Sequence, residues 1–145
     1  MSAIQEPKMG RFSVEVELSN DKDVMRAEDG TIKPEEIRRA RVRGVVDSGA
    51  TRLVVPESLV KQLGLTISGN MKVRYADGRL GERALAERVR LTYGGRQSVF
   101  NAIVEPARES VLIGAIVLED LDFLVDCTAQ RLVPRDPNQR VSEIE

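Results

Sequence analysis

The sequence predicts one mostly β domain with one or two short helices. Two stretches in the first third of the chain alternate apolar and polar residues, which is the period of a half-buried strand. The dipeptides Asp77-Gly78 and Gly94-Gly95 are tight-turn signals between further strand-like stretches. With 145 residues the chain has the length of one domain, which we expect at 11–134, between a mobile leader at 1–10 and a polar tail at 135–145.

The first two strands are predicted to pair with each other. Apolar residues occupy every second position in 12–18, and a second alternation runs through 38–46 with arginines on one face. Antiparallel pairing would place Glu15 and Glu17 across from those arginines, and each such pair contributes roughly a few tenths of a kcal/mol. Since no aromatic residues accompany the arginines, a solvated strand face is a better interpretation of this segment than a nucleic-acid patch.

Helix signals are few. Residues 19–36 are expected to form a long irregular connection in which Pro34 could open a single helical turn. The best helix signal follows the second strand: Pro56 stands at a first-turn position, the next apolar residues share one face, and Gly64 follows the last of them. A second short helix is predicted at 115–121.

The rest of the chain is predicted to form short strands separated by turns. Residues 80–93 fit both helical and strand spacing, and we interpret them as a strand. Residues 98–104 are apolar on both faces, which predicts a central position in the sheet. The other strands are expected at 71–75, 111–113, 123–127 and 131–134.

The composition excludes several kinds of active site. The chain has no histidine and one cysteine, which removes Ser-His and Cys-His catalysis, the commonest metal ligand and any intrachain disulfide. We expect Cys127 to be a small core residue, and Asp120 and Asp122 to be solvated helix residues rather than metal ligands. The net charge of -1 gives no bulk attraction to nucleic acid or to an anionic membrane.

The sequence also lacks the usual signals of a membrane or export segment. No apolar run approaches the ~20 residues that cross a bilayer, and the N-terminus lacks the basic start and apolar core of a signal peptide. A chain with one cysteine suits a reducing compartment, so we expect a cytoplasmic location and no membrane partner.

One stretch combines features that point to chemistry. An apolar run ending at Val46 leads into Asp47, and the small residues Ser48, Gly49 and Ala50 follow at once. A carboxylate carried towards the interior is costly unless it is hydrogen-bonded or takes part in a reaction, and a glycine two positions later allows a backbone N–H to turn towards it. Asp47 could then hold a water molecule. The alternative is a capped turn with a structural aspartate.

This stretch, Gly44 to Thr51, read together with Val111 to Ala115, resembles the retropepsin-like aspartic proteases, whose signature is Asp-Thr/Ser-Gly-Ala after an apolar strand. The resemblance implies a closed acid-protease β-barrel lobe that hydrolyses peptide bonds with an activated water and with no cofactor or metal. Because the chain has a single Asp-Ser-Gly, it also implies a homodimer in which two copies of Asp47 share that water. The expected partners are a second copy and a peptide or protein substrate. The alternative is a catalytically silent dimerisation or peptide-binding module of the same fold.

The resemblance implies roles for individual residues. In the active-site loop, Asp47 would be catalytic, and Ser48 would lock two loops together across the dimer axis. Gly49 would back the carboxylate and contact the substrate, and Ala50 would line the pocket, with Thr51 ending the loop. Ser48 stands where threonine is commoner, which would weaken the lock slightly.

Two further segments match the pattern of the family. One is the flap, a hairpin tip that closes over bound peptide, whose alternative is an ordinary exposed hairpin; it would comprise Tyr75, Ala76, Asp77, Gly78 and Arg79. The other is a supporting loop in which a glycine lets a buried strand pass close beneath the active-site loop, the alternative being the first residue of a helix; it would comprise Ile113, Gly114 and Ala115.

Overall fold

The structure, a computed structural model that describes residues 11–145, is built mainly from strands. The strands are β1 Arg11–Asn20, β2 Arg39–Asp47, β3 Leu53–Pro56, β4 Ile67–Arg74, β5 Leu80–Tyr93, β6 Arg96–Glu105, β7 Val111–Ile113, β8 Phe123–Asp126 and β9 Arg131–Pro134. The α-helices are α1 Asp21–Glu28, α2 Glu57–Leu63 and α3 Ala115–Leu121. The predicted strands and both predicted helices are therefore present. The leader at 1–10 lies outside the described residues.

Six of the strands close into a barrel in the order β1-β2-β7-β3-β6-β5, because β5 pairs back onto β1. Strand β4 continues the sheet outwards from β5, and β8 and β9 form a separate hairpin. Strand β6 lies between β3 and β5, which explains why its residues are apolar on both faces. The predicted mostly β, closed-barrel fold is confirmed.

Strands β1 and β2 pair antiparallel, as predicted. Glu15 lies opposite Arg43 in this pairing, and Glu17 lies opposite Arg41. The ion pairs themselves run diagonally: Arg41 contacts Glu15 at 3.0 Å, and Arg39 contacts Glu17 at 3.5 Å. The arginine segment thus forms a charge-paired, solvated strand face.

The barrel interior is filled by aliphatic side chains, and helices α2 and α3 add their apolar faces to it. Because the chain has only three phenylalanines and two tyrosines, branched aliphatic residues must supply most of this packing. The largest fully buried side chains include Leu18, Val46, Leu53, Val55, Leu63, Leu91, Ile113 and Leu121.

Helix α1 was not expected, since residues 19–36 were predicted to be irregular apart from one turn at Pro34. That turn is present as a 3-10 turn over Pro34–Glu36, but a full helix precedes it. The Asn20 side chain caps α1 by accepting a hydrogen bond from the backbone N–H of Asp23. Helix α1 has no apolar stripe that a pattern search would find, because its buried residues are Asp21 and Asp23.

Strand β5 is confirmed, and its ambiguous pattern has a structural cause. The register of β5 against β6 shifts between Ala86 and Val89, and Arg88 adopts a φ of 58° at this bulge. The extra residue breaks the strict alternation of apolar positions, so that part of the strand imitates helical spacing.

The C-terminal region corrects two expectations. Cys127 is half-buried in the turn after β8 rather than in the core. Asp122 is buried rather than solvated, because its carboxylate pairs with Arg135 and accepts a hydrogen bond from the backbone N–H of Val141. These contacts hold part of the tail against the domain, and the boundary at residue 134 stays a prediction. No helix within 11–145 has the length and apolar character needed to cross a membrane.

Candidate active site

Asp47 is the last residue of β2, and the loop after it folds back onto its carboxylate. The backbone N–H of Gly49 donates to Oδ1 of Asp47 at 3.0 Å, and the N–H of Ala50 donates to the Asp47 carbonyl at 3.1 Å. A Cβ on residue 49 would lie 3.3 Å from Oδ1, a tighter contact than most Cβ atoms make. The glycine therefore permits the approach of backbone to carboxylate. The Asp47 side chain is 15% exposed, so its carboxylate remains within reach of a ligand.

The other oxygen of this carboxylate is occupied by Arg11. The Nε and Nη2 atoms of Arg11 donate to Oδ2 of Asp47 at 2.9 and 2.7 Å. Arg11 was missed by the sequence analysis, although the signal was available. The antiparallel pairing that places Glu15 opposite Arg43 also places Arg11 directly opposite Asp47.

The supporting segment lies directly beneath the loop. The N–H groups of Ala115 and Ile116 donate to the carbonyl oxygens of Ala50 and Thr51 at 2.8 and 2.9 Å. A Cβ on Gly114 would lie 2.5 Å from the Arg52 carbonyl oxygen, a distance that real Cβ atoms essentially never show. The close passage of the two backbones therefore requires a glycine at position 114.

Asp47 opens onto a cleft of about 1120 Å³. Of the predicted loop residues, Asp47, Gly49, Ala50 and Thr51 line this cleft, whereas Ser48 is exposed and is not part of the lining. The supporting residues Ile113, Gly114 and Ala115 hold the loop from behind and do not line the cleft. Of the predicted flap, the cleft is lined by Tyr75, Ala76 and Arg79, and not by Asp77 or Gly78.

The hairpin tip between β4 and β5 is a tight turn held by its own contacts. The N–H of Gly78 donates to the Tyr75 carbonyl, and the N–H of Tyr75 donates to the Arg79 carbonyl, both at 2.9 Å. The Asp77 carboxylate accepts hydrogen bonds from the backbone and the side chain of Arg79, which lower the pKa of Asp77. Closure of this hairpin over a ligand stays a prediction.

The base of the hairpin is fastened to strand β6 through Glu105, which the sequence analysis did not single out. The Tyr75 hydroxyl donates to Glu105 at 2.6 Å, and Arg83 pairs with the same carboxylate at 3.1 Å. The hydrogen bond to Glu105, followed by burial, raises the pKa of the Tyr75 hydroxyl. No sequence signal marks Glu105, because a single glutamate that follows an apolar run is usually a solvated residue at the end of a strand.

The chemistry available to one chain is that of a single positioned carboxylate. The Gly49 N–H fixes Oδ1 of Asp47, and Arg11 occupies Oδ2. Within the described residues 11–145, no three Cys, Asp or Glu side chains cluster closely enough to hold a metal ion. The cleft lining contains one other carboxylate, that of Glu105, which is held by Tyr75 and Arg83.

The solved structures that are similar to this one include the following three. The Simian Foamy Virus (mac) protease has 17% identity and a TM-score of 0.47, covering 74% of this chain and 91% of its own. The retroviral protease-like domain of Ddi1 from Leishmania major has 16% identity and a TM-score of 0.49, covering 90% and 91%. A retropepsin-like aspartic protease from Rickettsia conorii has 13% identity and a TM-score of 0.42, covering 83% and 91%.

Comparison with curated protein sequences finds no match. The sequence profile of a family described as Aspartyl protease matches residues 34–117. That range runs from the turn at Pro34 through β2, the Asp47 loop and the hairpin to Val117 of α3, so it includes every predicted site residue. Because the matched range is more than half of the chain, the protein belongs to the aspartyl protease family.

Proposed function

We propose that the protein is a homodimeric aspartic endopeptidase that hydrolyses peptide bonds with a water activated by paired Asp47 carboxylates. One observation carries the proposal: Asp47 lies in the cleft with Oδ1 held by the Gly49 N–H, within an Asp-Ser-Gly-Ala loop. A fixed carboxylate that still faces a cavity of peptide size is the arrangement that general base catalysis requires.

In the proposed mechanism, the two Asp47 carboxylates of a dimer share one proton. The ionised aspartate removes a proton from the water as the water attacks the scissile carbonyl. The protonated aspartate donates a hydrogen bond to the carbonyl oxygen, where negative charge develops. Ser48 and Gly49 are exposed in the single chain, which suits a loop that meets its copy across a two-fold axis.

The Arg11 contact favours a second candidate function, a peptide-binding or dimerisation module without turnover. Oδ2 of Asp47 cannot accept a proton from water while two nitrogens of Arg11 donate to it. For the endopeptidase, the Arg11 side chain must turn away when substrate or the second chain arrives. Arg11 is 43% exposed, so such a movement breaks an ion pair that is only partly shielded from solvent.

Cleavage of a mixed peptide library by the purified chain separates the two functions. We expect the wild type to cleave, and Asp47→Asn to fold and bind peptides but to lose cleavage, because an amide cannot take a proton from water. Asp120→Asn is the matched control, since Asp120 is exposed on α3 outside the cleft and should keep full activity. Peptide binding by the wild type without cleavage across pH 3 to 8 would establish the silent module instead.

A further inference from the structure

The cleft is positively charged, although the chain as a whole has a small negative net charge. Its lining includes seven lysines and arginines but only two carboxylates, those of Asp47 and Glu105, a net charge of +5. The whole chain has a net charge of -1, so the residues outside the cleft together carry -6. The positive charge is therefore concentrated at the candidate active site.

Some of this charge is neutralised locally, and the rest is not. Arg11 pairs with Asp47, Arg83 pairs with Glu105, and Arg79 pairs with Asp77 at the hairpin tip. The other four cations of the lining form no ion pair with any residue in 11–145: Arg52, Lys72, Arg74 and Arg108.

The four unpaired cations come from three separate segments around the cleft. Arg52 follows the active-site loop, and Arg108 lies in the connection between β6 and β7, where its Nε donates to the Ser110 carbonyl at 2.9 Å. Both are half-buried, which strengthens their field relative to freely solvated side chains. Lys72 and Arg74 are exposed on β4, the outermost strand of the sheet. Like charges within a cleft of this size repel one another, and an anionic ligand would relieve the repulsion.

The floor of the cleft favours a peptide over a nucleic acid as that ligand. Val54, Ile103 and Leu112 line it with apolar surface. Tyr75 is the one aromatic residue of the lining, and the guanidinium groups of Arg79 and Arg83 lie 4.7 and 5.6 Å from its ring centroid. Its ring is thus partly covered and gives no open platform on which bases would stack.

We infer that the cleft selects acidic peptide segments, in which an apolar residue at the cleaved bond is flanked by aspartate or glutamate. The inference rests on the proposed endopeptidase function and adds its substrate class. Arg52 and Arg108 are the specificity-determining residues, because they are half-buried and line the same cleft as Asp47. The acidic side chains of the substrate provide the partners that these arginines lack within the described chain.

Peptide binding to the full-length Asp47→Asn chain tests the inference without requiring turnover. Three labelled peptides would share one apolar centre and differ only in flanks of glutamate, glutamine or lysine. We expect the glutamate peptide to bind at least about tenfold more tightly than the glutamine peptide at low salt, and the lysine peptide to bind most weakly. The advantage should shrink in about 0.5 M salt as the charges are screened.

Two double variants locate the effect. Arg52→Gln with Arg108→Gln should remove most of the preference for glutamate. Arg26→Gln with Lys61→Gln changes the net charge equally at exposed sites outside the cleft and should leave the preference intact. An equal loss in both variants would mean that overall charge, and not the cleft, selects the peptide, and would overturn the inference.

The remaining outcomes separate this inference from the proposed function. Wild-type protein that cleaves glutamine and glutamate peptides equally well is an endopeptidase without this specificity. Tighter binding of a single-stranded oligonucleotide than of the glutamate peptide would assign the basic cleft to nucleic acid. If none of the three peptides binds, the inference is wrong, whether or not other peptides are cleaved.

Discussion

In the ion pair between Arg11 and Asp47, a residue of β1 occupies one oxygen of the candidate catalytic carboxylate. We predict that Arg11→Gln raises kcat/KM for a cleaved peptide, because Oδ2 no longer has to be released before it accepts a proton. A partly exposed ion pair is worth up to about 1 kcal/mol, so the increase should reach about fivefold at most.

Steady-state kinetics of purified variants measure this effect. Arg43→Gln is the control, since Arg43 lies on β2 outside the lining of the cleft and its side chain donates a hydrogen bond to Ser13. A fall in kcat/KM for Arg11→Gln, with the Arg43 variant unchanged, would instead make Arg11 a residue that assists catalysis.

The buried aspartates of α1 stabilise the fold and are not part of the candidate active site. The Asp23 carboxylate is 4% exposed, and it accepts hydrogen bonds from the backbone N–H and the guanidinium group of Arg38. The side-chain hydrogen bond from Arg38, which outweighs burial, lowers the pKa of Asp23 from its usual 3.8. We predict that Asp23→Asn lowers the free energy of unfolding by about 1–3 kcal/mol at pH 7.

The sign of the pH dependence follows from the lowered pKa. The folded state favours ionised Asp23, so its stabilisation is complete above the unfolded value of 3.8 and is lost as the pH falls through the lower folded value. Urea unfolding should therefore show a difference between wild type and Asp23→Asn that is constant from pH 5 to 8 and shrinks below about pH 4. Asp120→Asn, at an exposed position, should unfold at the same urea concentration as the wild type in both pH ranges.

At the scale of elements, Gly114, the N-cap of α3, allows the active-site loop and the helix to approach closely. Gly114→Ala would push a Cβ into the backbone of Thr51 and Arg52, which cannot yield as a flexible side chain could. We predict a loss of about 1–3 kcal/mol in unfolding free energy, together with a loss of peptide cleavage. Gly81→Ala is the control, because a Cβ there would meet its nearest atom at an ordinary 3.4 Å. Equal stabilities of the two variants would show that the loop tolerates displacement.

The elements that could be predicted from sequence are those that bury apolar side chains. Strands β1 and β2 show a clean alternation. Helix α2 begins after Pro56, which is its N-cap rather than a first-turn residue as predicted, and it is closed by Gly64, whose φ is 63°. Helix α1 escaped prediction because its buried side chains are aspartates whose partners lie outside the helix: Asp21 pairs with Arg88 and Arg90, more than sixty residues away, and Asp23 pairs with Arg38. Such distant ion pairs leave no local pattern.

The residues of the candidate site also differ in whether the local sequence identifies them. Asp47 and its loop could be predicted as a candidate site because the proposed chemistry depends on adjacent residues, and Gly114 could be predicted because its segment matches a family pattern. Glu105 was not found, since its role depends on Tyr75 and Arg83, which strand pairing alone brings to it. Arg11 lies between these cases, because the register of β1 and β2 identifies it once that register is extended to the strand end.

At the scale of the whole molecule, one chain supplies half of the proposed catalytic pair, so activity should require two. We predict that sedimentation velocity detects a dimer of the 16.1 kDa chain at the concentrations where peptide is cleaved. The specific activity should fall on dilution, and it should be lost on both sides of a pH optimum because one carboxylate of the pair must be protonated and the other ionised.

A single substitution in the exposed loop tests whether the dimer axis passes there. Ser48→Arg would bring two cations together across the proposed axis, and we predict that it weakens dimerisation and cleavage in parallel, by about tenfold or more. Ser58→Arg is the matched control, since Ser58 is exposed on α2 and outside the cleft, and it should leave both quantities unchanged. Thermal unfolding of the dilute chain should be similar in both variants, which separates a lost interface from a lost fold. A Ser48→Arg protein that sediments as a monomer and still cleaves peptides would show that one Asp47 suffices, and the paired-carboxylate mechanism would be wrong.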